Sequence, residues 1–345
     1  MTNHTAIENL RTRRRARLTA SAVAAAAAVA VAGAIAPQGN AANFKPPKLE
    51  QGALRIDGTS ADERIALRLK AGQPGVLQID VGDDGSAEFE VARAQIAEIE
   101  LNARPGDDAV RIDDGNGVFT DSIPTTIDGA AGDDTLLGGS GAETLRGGPG
   151  SDLIDGNRGN DLAFMGSGED TFVWDPGDGS DTIEGQSGKD TMLFNGANIA
   201  ETVDVSANGP RLRFFRNVGN ITMDTDGVER VVFGALGGAD LVTVNDLSGT
   251  DVENVSIDLA AAGGGVDNLL DRVIVKGTDR NDTITVEGDS QLLKVNGLAA
   301  AVELLHPEAA KDQLEIDTLE GNDTVDSSGL APGVIALLID GILIP

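Results

Sequence analysis

From Gly129 onward the chain repeats itself every nine residues: GAAGDDTLL, GGSGAETLR, GGPGSDLID, GNRGNDLAF and MGSGEDTFV run to Val173, and after Trp174-Asp175 the frame resumes as PGDGSDTIE and GQSGKDTML. The fourth position is glycine throughout (Gly132, Gly141, Gly150, Gly159, Gly168, Gly179, Gly188). The sixth is acidic (Asp134, Glu143, Asp152, Asp161, Asp170, Asp181, Asp190), and the eighth is apolar (Leu136, Leu145, Ile154, Ala163, Phe172, Ile183, Met192). A nonamer of this kind reads as a glycine turn of about six residues and a strand of about three with one inward side chain, which cannot bury enough surface to fold alone. Successive strands must therefore stack, with two nonamers per full turn and the eighth positions in one inner column. Copies two apart then share a side, where glycine permits positive φ and leaves carbonyls facing the gap between layers. The sixth-position carboxylates enter the same gap. Oxygen-only donors, partly main-chain, suit Ca²⁺ better than Mg²⁺ or zinc.

The pattern closely resembles the GGxGxDxUx repeat of the RTX, or hemolysin-type calcium-binding, family. That resemblance implies an all-β fold, a right-handed parallel β-roll or β-solenoid with Ca²⁺ between turns. It also implies metal positions at the seven glycines and seven acids named above, with Asp134, Asp152, Asp170 and Asp190 on one side and Glu143, Asp161 and Asp181 on the other. Glu143 is one methylene longer than aspartate, Pro149 and Arg158 replace flexible turn residues, and Ala163 underfills its core position, so weaker sites are expected near Glu143. The competing reading is a disordered acidic linker. A linker has no reason to place an apolar residue in every copy. Stacked carboxylates repel and thin strands bury little, which predicts an array unfolded until calcium is supplied.

A sparser pattern flanks the array: two apolar residues, an acid seven positions after the second of them, and another apolar residue two further on. It occurs at Leu54/Ile56/Glu63/Ile65, Ile99/Leu101/Asp108/Val110, Val231/Phe233/Asp240/Val242, Val273/Val275/Asp282/Ile284 and Leu314/Ile316/Asp323/Val325. These read as coils enlarged by hairpins such as Gln291 to Val295. An ordinary β-sandwich is the alternative for residues 201–345. The division expected is a signal peptide over 1–41, an N-terminal β region over 42–128, the calcium-binding roll over 129–193 and a C-terminal β region over 194–345. The terminal GVIALLIDGILIP needs burial as a last strand or cap, or marks a partner surface.

Five arginines in residues 11–17, the alanine/valine run Leu18 to Ala36 and the small residues Gly39 to Ala42 have the order of a secretory signal peptide, cut after Ala41 or Ala42. A retained anchor is the rival reading. The arginines resemble a twin-arginine signal except at Ala16 and Arg17, so the export route stays open. Cleavage takes away five arginines and Glu8, leaving 21 basic against 55 acidic residues, a net charge of −34. Such a chain repels nucleic acid and acidic membranes and attracts cations. The mature protein is expected outside the cell, with no membrane span and a possible cell-surface or matrix partner.

Catalytic motifs are scarce. Without cysteine, thiolate metal sites and cysteine nucleophiles are excluded, and of two histidines only His306 lies beyond the leader. His306 precedes Pro307 and reads as an exposed turn. DVGDDG at Asp80 and DTDG at Asp224 lack the glutamate of an EF-hand, Gly188-Lys189 lacks the rest of a phosphate loop, and no GxSxG occurs. Absent tyrosine and a single Trp174 make a sugar platform unsuitable. The rolls of this family often accompany protease, lipase or pore-forming domains, none of which is recognisable here. Members using one-step C-terminal export lack a cleaved leader, so that route is not carried over. The reading is a secreted, non-enzymatic calcium-binding protein. A hydrolase or toxin component and an adhesin are the alternatives.

Overall fold

Each triplet at positions seven to nine of the repeat is too short to close hydrogen bonds within itself, so its main chain pairs with the same triplet two nonamers away. In the computed structural model, which describes residues 44–309 and 311–345, this pairing builds two long sheets of 15 and 14 strands. The expected cleavage site and the rest of residues 1–41 lie outside the described residues. Strands Thr125–Asp128, Glu143–Pro149, Leu162–Gly168 and Thr182–Gly188 form successive parallel rungs of the first sheet. Thr135–Leu137, Leu153–Asp155, Thr171–Trp174 and Thr191–Asn195 do so in the second. The chain therefore alternates sheets at every nonamer. The eighth positions stack as one column on each sheet: Leu145 opposite Ala163 and Ile183, and Leu136 opposite Ile154, Phe172 and Met192 in turn. All seven are fully buried. Met165, two residues after Ala163 and on the same face, is equally buried and adds volume where the alanine is short.

The flanks continue both sheets. Ile65 pairs with Val110 and Val110 with Leu136; beyond the array, Met192 pairs with Val231, Val231 with Val255 and Val255 with Val302. Residues 201–345 are thus further coils of the solenoid rather than a separate sandwich. Where coils lengthen, the extra chain folds into antiparallel meanders, Thr202–Asn208, Arg211–Arg216 and Ile221–Asp226 in the first sheet, and Thr283–Gly288, Leu292–Asn296 and Ala301–Leu305 in the second. The segment near Gln291 is the middle strand of the second meander. All five flanking sequence patterns fall where the chain passes from one sheet to the other, with the acid at the corner. At the C-terminus, Val334, Ile335 and Leu337 are buried, whereas Ile342 and Leu343 are 69% and 63% exposed on a terminal strand. Among the described residues no helix is long and apolar enough to cross a membrane.

The two-residue insertion Trp174-Asp175 has a packing role. Trp174 stacks on Phe194 at 3.9 Å between ring centroids and 4° between planes, and Phe194 also meets Phe214 at 4.4 Å and Phe233 at 6.2 Å. The indole N–H donates to Gly179 O at 2.8 Å. This cluster fills the wider core where nonamers give way to long coils. Phe194→Ala should therefore cost about 3–5 kcal/mol, while Phe215→Ala, half-buried beneath Arg213 on the outer face, should cost under about 1 kcal/mol. Urea unfolding of both variants in calcium checks the contrast.

Candidate metal centre

The corner turns place the carboxylates. The main-chain N–H of Asp108 donates to Asp134 Oδ1 at 2.7 Å, Asp134 N–H to Asp152 Oδ1 at 2.8 Å, Asp152 N–H to Asp170 Oδ1 at 2.7 Å, and Asp170 N–H to Asp190 Oδ1 at 3.0 Å. At the opposite corner, Glu143 N–H donates to Asp161 Oδ1 at 2.7 Å and Asp161 N–H to Asp181 Oδ1 at 2.8 Å. The structure thus brings the seven acids into two ladders, four on one side and three on the other. Each carboxylate is almost wholly buried, and each of the six aspartates uses one oxygen to hold the neighbouring coil.

The second oxygen has no such partner. Oδ2 of Asp134, Asp152, Asp161, Asp170, Asp181 and Asp190 is buried without a hydrogen bond. The reason is local: the residue four before each of these aspartates (Ala130, Gly148, Asn157, Gly166, Gly177, Gln186) has positive φ, between 57° and 120°. Glu143 differs. Gly139, four before it, lacks positive φ and donates its N–H to Glu143 Oε2 at 2.7 Å, so the longer side chain closes its own turn with one oxygen while Oε1 is buried without a hydrogen bond.

The fourth-position glycines stack directly on one another. A Cβ on Gly150 would lie 1.9 Å from Gly132 O, on Gly168 1.6 Å from Gly150 O, and on Gly188 1.6 Å from Gly168 O. On the other side, Gly141 would meet Thr120 O at 2.0 Å, Gly159 would meet Gly141 O at 1.7 Å and Gly179 would meet Gly159 O at 1.2 Å. Only glycine permits coils this close, and the closeness brings main-chain carbonyls beside the carboxylates. Among the described residues no three acidic or imidazole side chains converge to hold an ion unaided. A cation here would take the buried Oδ2 atoms and complete its shell from carbonyls and water, a hard, all-oxygen donor set of the kind calcium accepts.

The inner ladder runs further than the nonamers. Glu63 N–H donates to Asp108 Oδ1 at 2.7 Å, and Asp190 N–H to Glu229 Oε2 at 2.7 Å. A separate ladder joins Glu201, Asp240, Asp271 and Asp312. An outer ladder of the residues one before each corner acid runs Asp62, Asp107, Asp133 and Ser151. The flank acids Glu201, Asp271 and Asp312 escape the sequence pattern because their coils differ in length. An acid two residues before an inward apolar residue, as in Glu201-Thr-Val203, is the signal that would have found them.

A parallel two-sheet solenoid with glycine-stacked corners and ladders of half-satisfied carboxylates defines the calcium-binding β-roll class. The family model for the RTX calcium-binding nonapeptide repeat, in four copies, matches residues 126–142, 137–172 and 177–198, so the chain carries calcium-binding RTX repeats. Among solved structures, the extracellular lipase LipA from Serratia marcescens is similar over 61% of this chain and 43% of its own, with 12% identity and a TM-score of 0.25. The chain spans less than half the length of that lipase. No curated protein matches it.

Burial sets the charge state of the metal-free corners. It pushes Asp134, Asp152, Asp170, Asp181 and Asp190 up to about 7 and Asp161 up to about 9, against the main-chain N–H donors that pull them down. In the unfolded chain these groups ionise near 4. Between about pH 4 and 7, and up to about 9 at Asp161, the metal-free fold therefore holds protons that the unfolded chain releases, and its stability falls as pH rises through that range. In EGTA, strand content should be greater at pH 5 than at pH 8. With calcium the array should be folded at pH 8, and the calcium midpoint should rise as pH drops below about 7. Circular dichroism over both pH values, with and without calcium, reads each outcome.

Proposed function

We propose that this protein is a secreted, non-enzymatic calcium-binding solenoid that folds when it meets calcium outside the cell and acts at a cell surface or in a matrix. The observation that carries the reading is the column of buried carboxylate oxygens with no counter-charge in a chain of net charge −30. Each ionised corner disfavours the metal-free fold, and a cation bound only by the folded state favours it by RT ln(1 + [L]/Kd). Extracellular calcium modules bind at ~10⁻⁴ to 10⁻³ M, so folding would follow export. The arginine cluster and alanine run before Ala41 support that export.

A hydrolase reading has one observation in its favour. His306 Nδ1 lies 2.9 Å from Asp258 Oδ1, an acid–imidazole pair half shielded from water. His306 takes φ 56° rather than an extended form and closes the strand Ala301–Leu305 through its N–H to Gln291 O at 3.2 Å. The pair is better read as a clamp between neighbouring coils than as part of a triad, since no nucleophile elbow occurs in the sequence.

Calcium titration followed by far-ultraviolet circular dichroism should show a cooperative gain of strand signal at neutral pH, reversed by EGTA. A spectrum indifferent to EGTA would sink the calcium-driven reading. Esterase and peptidase assays on the wild type and His306→Ala should show no activity that the substitution abolishes, and the loss of a measurable activity would establish an enzyme instead.

A further inference from the structure

The six open aspartates of the array share three features: a fourth-position glycine two residues earlier, a left-handed residue four earlier, and a buried Oδ2 with no partner. The flanking corners divide sharply by the same criteria. Glu63 has both oxygens occupied by Thr59, through its N–H at 2.8 Å and its hydroxyl. Glu201 takes the Ala197 N–H at 3.0 Å and the buried Arg216 guanidinium. Asp282 takes the Thr278 N–H at 2.7 Å and hydroxyl, and Asp312 takes the N–H groups of Asp271 and Glu308. Each of these carboxylates is closed by protein donors and has no oxygen to offer.

Asp108 and Asp240 are different. Both are 2% exposed, both use Oδ1 in the ladder, and Oδ2 of each is buried without a hydrogen bond. Gly106 and Gly238 stand two residues before them with φ 149° and 125°, and a Cβ at either would meet a carbonyl of the coil beneath, Ala61 O at 2.6 Å or Ile199 O at 2.3 Å. Four residues before them, Arg104 and Leu236 hold φ 73° and 68°. Side chains of that size rarely occupy the left-handed region, and each does so here at the one place where a right-handed turn could aim its N–H at the carboxylate.

We propose that Asp108 and Asp240 are two further calcium corners, outside the nonapeptide array and like it in local chemistry, so that cation sites occur in both flanks. The Asp108 corner adjoins the array through Asp134, whereas the Asp240 corner stands in a separate ladder on a later coil. This rests on the reading that open corner oxygens in the array take calcium, and the experiment separates the two.

Hydrogen exchange of the full mature chain is measured peptide by peptide in CaCl₂, in MgCl₂ and in EGTA. Calcium, and not magnesium, should slow exchange over residues 235–243 by at least about tenfold, and by more than over the closed corner at residues 196–204. In Asp240→Asn, which keeps the Oδ1 acceptor and the volume, that protection should vanish while residues 129–193 keep theirs; Asp282→Asn should leave it intact. Array protection with no calcium effect at 235–243, or protection there that survives Asp240→Asn, overturns this inference alone. No calcium protection anywhere overturns the proposed function with it. Should Asp240→Asn lose its fold, the wild-type chain still decides: equal protection of 235–243 and 196–204 means propagated folding and refutes a local site.

Discussion

The structure hangs on one hydrogen bond, repeated: the main-chain N–H of a corner acid in one coil donates to the carboxylate of the corner acid in the next. The bond does two things at once. It fixes the spacing and register between coils, and it carries a charged group into a place from which water is excluded. A carboxylate with one oxygen satisfied and the other buried is costly to ionise without a counter-ion. Cohesion between coils and the demand for a counter-charge therefore come from the two oxygens of the same carboxylate.

That bond tolerates wide variation in what lies between corners. The separation along the chain between bonded acids is 18 or 20 residues inside the array, 26 between Asp108 and Asp134, 45 between Glu63 and Asp108, and 39 between Asp190 and Glu229. Extra residues are absorbed in antiparallel meanders after Glu63 and after Asp190, and in a 3-10 turn and loop between Asp113 and Thr125, so the corner geometry survives. Wider coils need more core, which the Trp174, Phe194, Phe214 and Phe233 cluster supplies. Arg216, buried over Trp174 and paired with Glu201, then neutralises a corner from within the protein where the solenoid widens.

The array was legible in the sequence because a fixed nine-residue period makes glycine, acid and apolar residue recur together. The inner column and the sheet alternation follow from that period alone. The flanking corners were legible only where the apolar spacing of the array persisted, at Glu63, Asp108, Asp240, Asp282 and Asp323, and those five positions do not form one class. Whether a corner is open depends on the φ of the residue four before it, a property that Arg104 and Leu236 do not advertise: neither is a residue expected in the left-handed region. Asp323 shows why backbone is not sufficient. Leu319 and Gly321 take φ 64° and 141° there, yet the coil belongs to the edge strand Thr324–Leu330 and its carboxylate is only half-buried.

The glycine-rich, acidic composition of the array, which a disordered linker would share, is a consequence of stacking. Parallel coils lie about 4.8 Å apart, and at the corner the fourth-position glycine sits so near the carbonyl of the coil beneath that a methyl group would overlap it, at 1.6 Å for Gly168 over Gly150. Alanine is excluded there on contact in every copy, and on φ as well at all but Gly141 and Gly179, so glycine is forced by geometry throughout. The strands between corners are three to seven residues long and carry one or two inward side chains, which leaves little place for large aromatic rings except where the coils widen. High glycine, few aromatics and a large negative charge are thus three expressions of one arrangement. A thin roll buries little apolar surface per coil, and on the function proposed above bound cations offset the repulsion between its stacked carboxylates.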